Sequence, residues 1–150
     1  MGSLFEHLLG AEESGGRLGV ALVTQPPGVA TPLHRHTHEA EAFFLLEGTM
    51  TYRAGEEVFH LAHGDFIWLP QGLPHAFRVT GDLPVTMLAL TEPGGLLGLY
   101  DEVGIPATEG TPGRQRAGHG GRDPALERGG PPLRPPGARA AAARRRLNRG

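Results

Sequence analysis

From Arg17 to Thr91 the apolar positions fall in short runs separated by turn residues. Residues 18–24 are apolar and β-branched, and the Pro/Gly-rich stretch 25–32 after them reads as a connection. Residues 41–46 alternate, with Glu41, Phe43 and Leu45 on one face and Ala42, Phe44 and Leu46 on the other. Both faces are apolar, which is the pattern of a strand covered on both sides. Further strands are predicted at 49–53, 58–61, 66–69, 75–79 and 85–91, with Phe66 and Trp68 assigned to the core. Gly48, Gly55, Gly64, the 70–74 stretch and Gly81 supply the turns between them. Short strands at this spacing predict an all-β sandwich or barrel. Beyond them, Leu96, Leu99, Tyr100 and Val103 share one face of a short helix stopped by Gly104 and Pro106.

Composition narrows the chemistry. The 150 residues include no cysteine and no lysine. A disulfide framework, a thiolate zinc site, a cysteine nucleophile and Schiff-base catalysis are all excluded, so a metal would have to be held by nitrogen and oxygen. Ser3 and Ser14 are the only serines, both near the N-terminus, which argues against a serine hydrolase triad. Eight histidines remain. The first ten residues place Glu6 inside a short apolar run with no basic lead-in, unlike a signal peptide. No apolar run approaches the roughly 20 residues that span a bilayer. A cytoplasmic protein with no membrane partner is the expectation.

Charge splits the chain in two. Residues 1–110 carry four arginines against 14 acids, whereas residues 111–150 carry ten arginines against Asp123 and Glu127. Gly, Ala, Arg and Pro fill 31 of those last 40 positions. Such a segment buries too little apolar surface to offset about 1–2 kcal/mol of backbone entropy per ordered residue. The expected organisation is a domain over 1–110 and a disordered tail over 111–150. The run Arg144, Arg145, Arg146 has no interleaved aromatic residue and reads as solvated, so no nucleic-acid partner is expected.

The informative stretch begins at Gly28. Five residues separate it from His34, one lies between His34 and His36, four precede Glu41, and six precede Gly48. After 15 further residues come Gly64, then Pro70, Gly72 and His75 at spacings of five, one and two. A lone histidine in a strand is usually a packed or surface residue, but four groups obeying a two-part spacing rule read as a site. These two motifs resemble those of the cupins, particularly the small single-domain bacterial members of quercetinase-like type. One departure is Val79, where the family's second motif often ends in Asn; that residue is not a ligand in the family.

The resemblance implies a cupin double-stranded β-helix, a jelly-roll barrel, with the short helix after it. It implies one divalent transition metal ion (Fe, Mn, Ni, Co, Cu or Zn) held by His34, His36, Glu41 and His75, and a homodimer formed through a sheet edge. Elementary geometry agrees, since histidines at i and i+2 of an extended segment project to one side. His38 shares that side and is assigned to the rim. Phe43, Leu45 and Phe77 are expected to wall the cavity, and His7, His60, His63 and His119 to occupy turns or the surface.

Four protein ligands on an octahedral ion leave two positions for a bidentate substrate, or for a substrate and dioxygen. The leading expectation is a metal-dependent dioxygenase-type oxidoreductase acting on a small oxygen-chelating molecule, with Glu41 as ligand and proton acceptor. The alternatives are a non-catalytic sensor or carrier of a small molecule and a cupin isomerase, because the fold alone does not fix the reaction.

Overall fold

The computed structural model describes residues 2–107. The tail expected at 111–150, and His119 within it, lie outside the described residues. The all-β expectation holds. Eight strands, β1 (Leu4–Leu9), β2 (Gly19–Gln25), β3 (Ala40–Glu47), β4 (Met50–Ala54), β5 (Glu57–Leu61), β6 (Phe66–Leu69), β7 (His75–Val79) and β8 (Val85–Glu92), precede a 3-10 turn at Gly94–Leu96 and the helix α1 (Leu97–Val103).

The strands form two antiparallel sheets, one ordered β1-β2-β8-β3-β6 and the other β5-β4-β7. The β2–β8 ladder runs unbroken from Gly19 opposite Thr91 to Gln25 opposite Val85. On β3, Glu41 stands between Thr91 of β8 and Leu69 of β6. Side chains alternate across a strand, and on β2, β6 and β8 one parity is buried between the sheets. Val23, Leu45, Met50, Tyr52, Leu69 and Met87 are fully buried there. Burying each such aliphatic side chain stabilises the fold by roughly 1.5–3 kcal/mol.

The motif turns connect the two sheets. Gly48 has φ +81°, and a Cβ on it would stand 2.7 Å from the Pro84 carbonyl oxygen, so this β3–β4 turn admits only glycine. The chain before β3 runs back along β7, with bridges from Ala30 to Arg78 and from His34 to His75.

Three expectations need correction. Phe66 and Trp68 are not core residues: Ile67 and Leu69 take the inward parity of β6, leaving Phe66 57% and Trp68 49% exposed on the outer face. Of the predicted helical face, Leu96 and Tyr100 are half-buried and Tyr100 packs on the core, but Leu99 and Val103 are exposed, and the buried anchor is Leu97, one residue and about 100° away from that face. Leu45 belongs to the packed core and does not line the cavity described below. β1 carries no clear strand signal in the sequence, because Leu4, Phe5, Glu6 and His7 do not alternate cleanly; pairing with β2 makes it a strand.

Candidate metal centre

Backbone pairing brings the two motifs together. His34 N–H donates to the His75 carbonyl at 3.0 Å, and His75 N–H donates back to the His34 carbonyl at 2.8 Å. Gly72, at φ +79°, turns its N–H onto the His36 carbonyl at 2.8 Å, tying the second motif's turn to the first motif's histidine segment. The side chains of His34, His36, Glu41 and His75 therefore converge, each offering one ligand atom, and these atoms all lie within 4.8 Å of one another. His38 is exposed and outside this group. His7, His60 and His63 are likewise apart from it, exposed on β1, on β5 and in the turn after β5.

The distances suit one ion. Oε2 of Glu41 lies 3.1 Å from Nε2 of His75 and 3.3 Å from Nε2 of His36. Adjacent ligands about 2.1 Å from a shared centre are about 3.0 Å apart at right angles, so both spacings are those of neighbouring positions around a metal. The distal nitrogens are free for this because Nδ1 of His34 bonds the Pro32 carbonyl and Nδ1 of His75 bonds the Leu73 carbonyl, each at 2.8 Å. Donating Nδ1–H outward fixes the ring and leaves Nε2 as the lone-pair nitrogen.

The same contacts set the charge states. Burial opposes protonation of His75, but the hydrogen bonds to the Glu41 carboxylate and the Leu73 carbonyl, with the charge of Glu41, outweigh it and raise its pKa above 6.5. Burial dominates at His34 and lowers its pKa; the bond to Pro32 opposes this, and His75 and His36 add to it. His34 is thus poised to be neutral and ready to ligate.

A cavity of about 260 Å³ opens onto the cluster, with all four residues in its wall. Phe43 and Phe77, as expected, line it, and Tyr52 stacks behind them with ring centroids 5.5 and 5.4 Å away. The opposite wall comes from the two ends of the described chain. Phe5 of β1 stacks on Tyr100 of α1 at 4.0 Å, both facing the cavity. Burial, with the nearby Glu41 charge, pushes the Tyr100 phenol up to about 12. Neither residue was assigned to the site from sequence. Nor were Gln25 and Thr91, which are buried in the cavity wall; Gln25 Oε1, Thr91 Oγ1 and the hydroxyl of fully buried Tyr52 have no hydrogen-bond partner. A signal for Gln25 existed, because it continues the inward parity of Ala21 and Val23.

Comparison with known proteins agrees with this architecture. The cupin domain family model matches residues 21–91, a stretch that begins within β2, stops one residue short of the end of β8 and carries the cluster. Protein MJ1618 of Methanocaldococcus jannaschii, uncharacterized, is 30% identical over 93 residues, covering 61% of this chain and 74% of that protein. The chain belongs to the cupin family. The chain also aligns with longer proteins. It is 32% identical over 98 residues to the xanthan biosynthesis protein XanB of Xanthomonas campestris pv. campestris, covering 65% of this chain. It spans only 21% of that relative's length. It is 28% identical over 93 residues to quercetin 2,3-dioxygenase of Bacillus subtilis, covering 62% of this chain and 27% of that protein. Among solved structures, a Thermotoga maritima protein described as a predicted oxalate decarboxylase superposes with TM-score 0.57 at 25% identity, covering 61% and 80% of the two chains. A putative sugar phosphate isomerase of Acidithiobacillus ferrooxidans gives 0.52 at 25%, covering 60% and 58%.

Proposed function

We propose that this cupin is a metal-dependent oxidoreductase of the dioxygenase type acting on a small oxygen-chelating molecule, such as a phenol or a diketone. The observation that carries the reading is the character of the cavity in front of the cluster: Phe5, Phe43, Phe77, Met87, Leu97 and Tyr100 contribute to its wall, and no arginine does. The chain has no lysine at all. A phosphate dianion entering there would lose its hydration without gaining a cationic partner other than the histidines, which disfavours a sugar-phosphate isomerase. A flat, largely apolar molecule that presents oxygens to the cluster suits such a wall. The resemblance to a quercetin dioxygenase points the same way.

In this reading His34, His36, Glu41 and His75 hold one divalent transition ion. When bound, the ion supplies Lewis acidity and a redox-active centre to a chelating substrate. The protein's own part is positional and protic. Outward Nδ1–H bonds keep the imidazoles of His34 and His75 aimed at the centre. The Glu41 carboxylate accepts the proton that a substrate hydroxyl loses on chelation. Phe43 and Phe77 keep bulk water from the reacting oxygens.

We propose a homodimer through β6. That strand is the open edge of the five-stranded sheet and carries the exposed Phe66 and Trp68, so two copies can pair edge to edge about a two-fold axis. Among the described residues no helix is long and apolar enough to cross a membrane, and we propose a cytoplasmic location.

Oxygen uptake decides between enzyme and sensor. With Fe(II), Mn(II), Ni(II), Co(II) or Cu(II) loaded, at least one phenolic or diketone substrate should consume oxygen, and Zn(II) should support much less. Saturable binding without uptake in every metal form would make this a carrier or sensor.

A further inference from the structure

We infer that Tyr100 is a specificity-determining residue whose hydroxyl donates a hydrogen bond to a carbonyl or ionised oxygen on the ligand seated at the cluster. This rests on the reading of the cavity as the substrate site. Tyr100 belongs to α1 and to the cavity wall that faces His34, His36, Glu41 and His75. It is half-buried, and its hydroxyl bonds no other described residue. Yet that hydroxyl is not one of the enclosed, unpartnered side-chain atoms, as those of Tyr52 and Thr91 are. It is therefore open and free to meet a ligand.

Two relationships aim it inward. Burial, and after it the charge of Glu41, push the phenol up to about 12; the carboxylate acting on it is Glu41 across the cavity, not Asp101 or Glu102 beside it in sequence. The Tyr52 phenol, whose ring packs against Phe43 and Phe77, feels both Glu41 and Tyr100, which sets the Tyr100 hydroxyl on that same inner side. Phe5 covers the Tyr100 ring at 4.0 Å with 18° between the planes, so the ring keeps this direction unless the stack is broken.

The phenol holds its proton throughout the working pH range, so it donates and does not serve as a base. A ligand that presented only C–H to it would take the hydroxyl out of water with nothing to bond, whereas a carbonyl satisfies it. An ionised oxygen accepts the stronger bond. Size follows from volume: a dry cavity of about 150 Å³ accepts benzene, so about 260 Å³ accepts one ring with on the order of four further heavy atoms. Such a ligand fills the cavity and touches both walls. The class selected is a small aromatic ketone, enolate or phenolate.

The test compares acetophenone with α-methylstyrene, two probes of equal size in which a methylene group replaces the carbonyl oxygen. Calorimetric affinities are measured on the full chain, as purified and after chelator treatment, for wild type, Tyr100→Phe and Tyr52→Phe. Oxygen uptake plays no part, so failure here is distinct from failure of the dioxygenase reading, and the chelator-treated arm makes the result independent of a bound metal. Tyr100→Phe should shift the affinity ratio about fivefold toward the hydrocarbon. Tyr52→Phe should leave it unchanged, because that hydroxyl is enclosed. A second readout needs no variant: the chain has 2 tyrosines, so in chelator-treated wild type isotope-labelled at tyrosine Cζ, NMR should show the ketone displacing the Tyr100 signal and the hydrocarbon moving it much less. An unchanged ratio in Tyr100→Phe, an equal shift in Tyr52→Phe, equal displacement of the Tyr100 signal by the two probes, or binding of neither probe would overturn the inference.

Discussion

Oε2 of Glu41 stands 3.1 Å from Nε2 of His75, and the contact joins residues 34 positions apart in sequence on two different sheets. The same oxygen is 3.3 Å from Nε2 of His36. One carboxylate oxygen thus organises two imidazoles before any ion is considered, and the metal-free chain should show the consequence. Burial alone would lower the pKa of His75; the bond to Glu41, the bond to the Leu73 carbonyl and the charge of Glu41 raise it. In Glu41→Gln the charge is gone, and the His75 pKa followed by NMR should fall below its wild-type value. A His75 titration indifferent to that substitution would mean the contact is not made in solution.

Metal affinity should depend on pH with a defined sign. In the metal-free chain the raised His75 pKa contributes stability that is fully present below about pH 6.5 and lost as pH rises through the folded value. An ion needs the neutral ring, so ion and proton compete at His75. Affinity should therefore begin to weaken above pH 6.5 on the way down, by about tenfold per pH unit for each proton displaced. The thermal shift on adding Ni(II) should be larger at pH 8 than at pH 6. A shift flat between those values would contradict a histidine-dominated site.

Much of this was legible in the sequence because each signal was local. Turn glycines, period-2 alternation and motif spacing involve residues close in sequence, and so the strands at 66–69 and 75–79 were found to the residue and the other predicted strands within one residue at each end. The four converging side chains were found by spacing and resemblance; neither gives a distance. What escaped depends on partners remote in sequence. β1 exists through its pairing with β2, and Phe5 and Tyr100 become cavity wall only because the two ends of the domain meet. Phe66 and Trp68 were misplaced because hydrophobicity suggested burial where parity should have ruled, Ile67 and Leu69 being the inward pair.

Tyr52 provides a test of the core behind the site. Its ring is fully buried between Phe43 and Phe77, and its hydroxyl has no hydrogen-bond partner. Burial, followed by the charge of Glu41 and the presence of Tyr100, pushes its pKa well above 10, so the hydroxyl stays protonated. Tyr52→Phe removes an unsatisfied polar atom and should leave chemical-denaturation stability unchanged or raise it by up to about 1–3 kcal/mol. A loss exceeding 1 kcal/mol would reveal a partner for that hydroxyl.

The dimer proposal is tested on β6. Trp68→Glu places a charge on the exposed outer face without touching the inward parity. Sedimentation velocity should show a wild-type dimer and a folded monomeric variant. An unchanged dimer would move the interface elsewhere.

Metal content measured on protein purified without chelators tests the central claim most directly. Wild type should carry about one divalent transition ion per chain, His34→Ala and His75→Ala should carry essentially none, and His38→Ala should keep it, because His38 lies outside the converging group. Full metal content in folded His34→Ala and His75→Ala protein, or its loss only in His38→Ala, would contradict the assignment of the ion to His34, His36, Glu41 and His75.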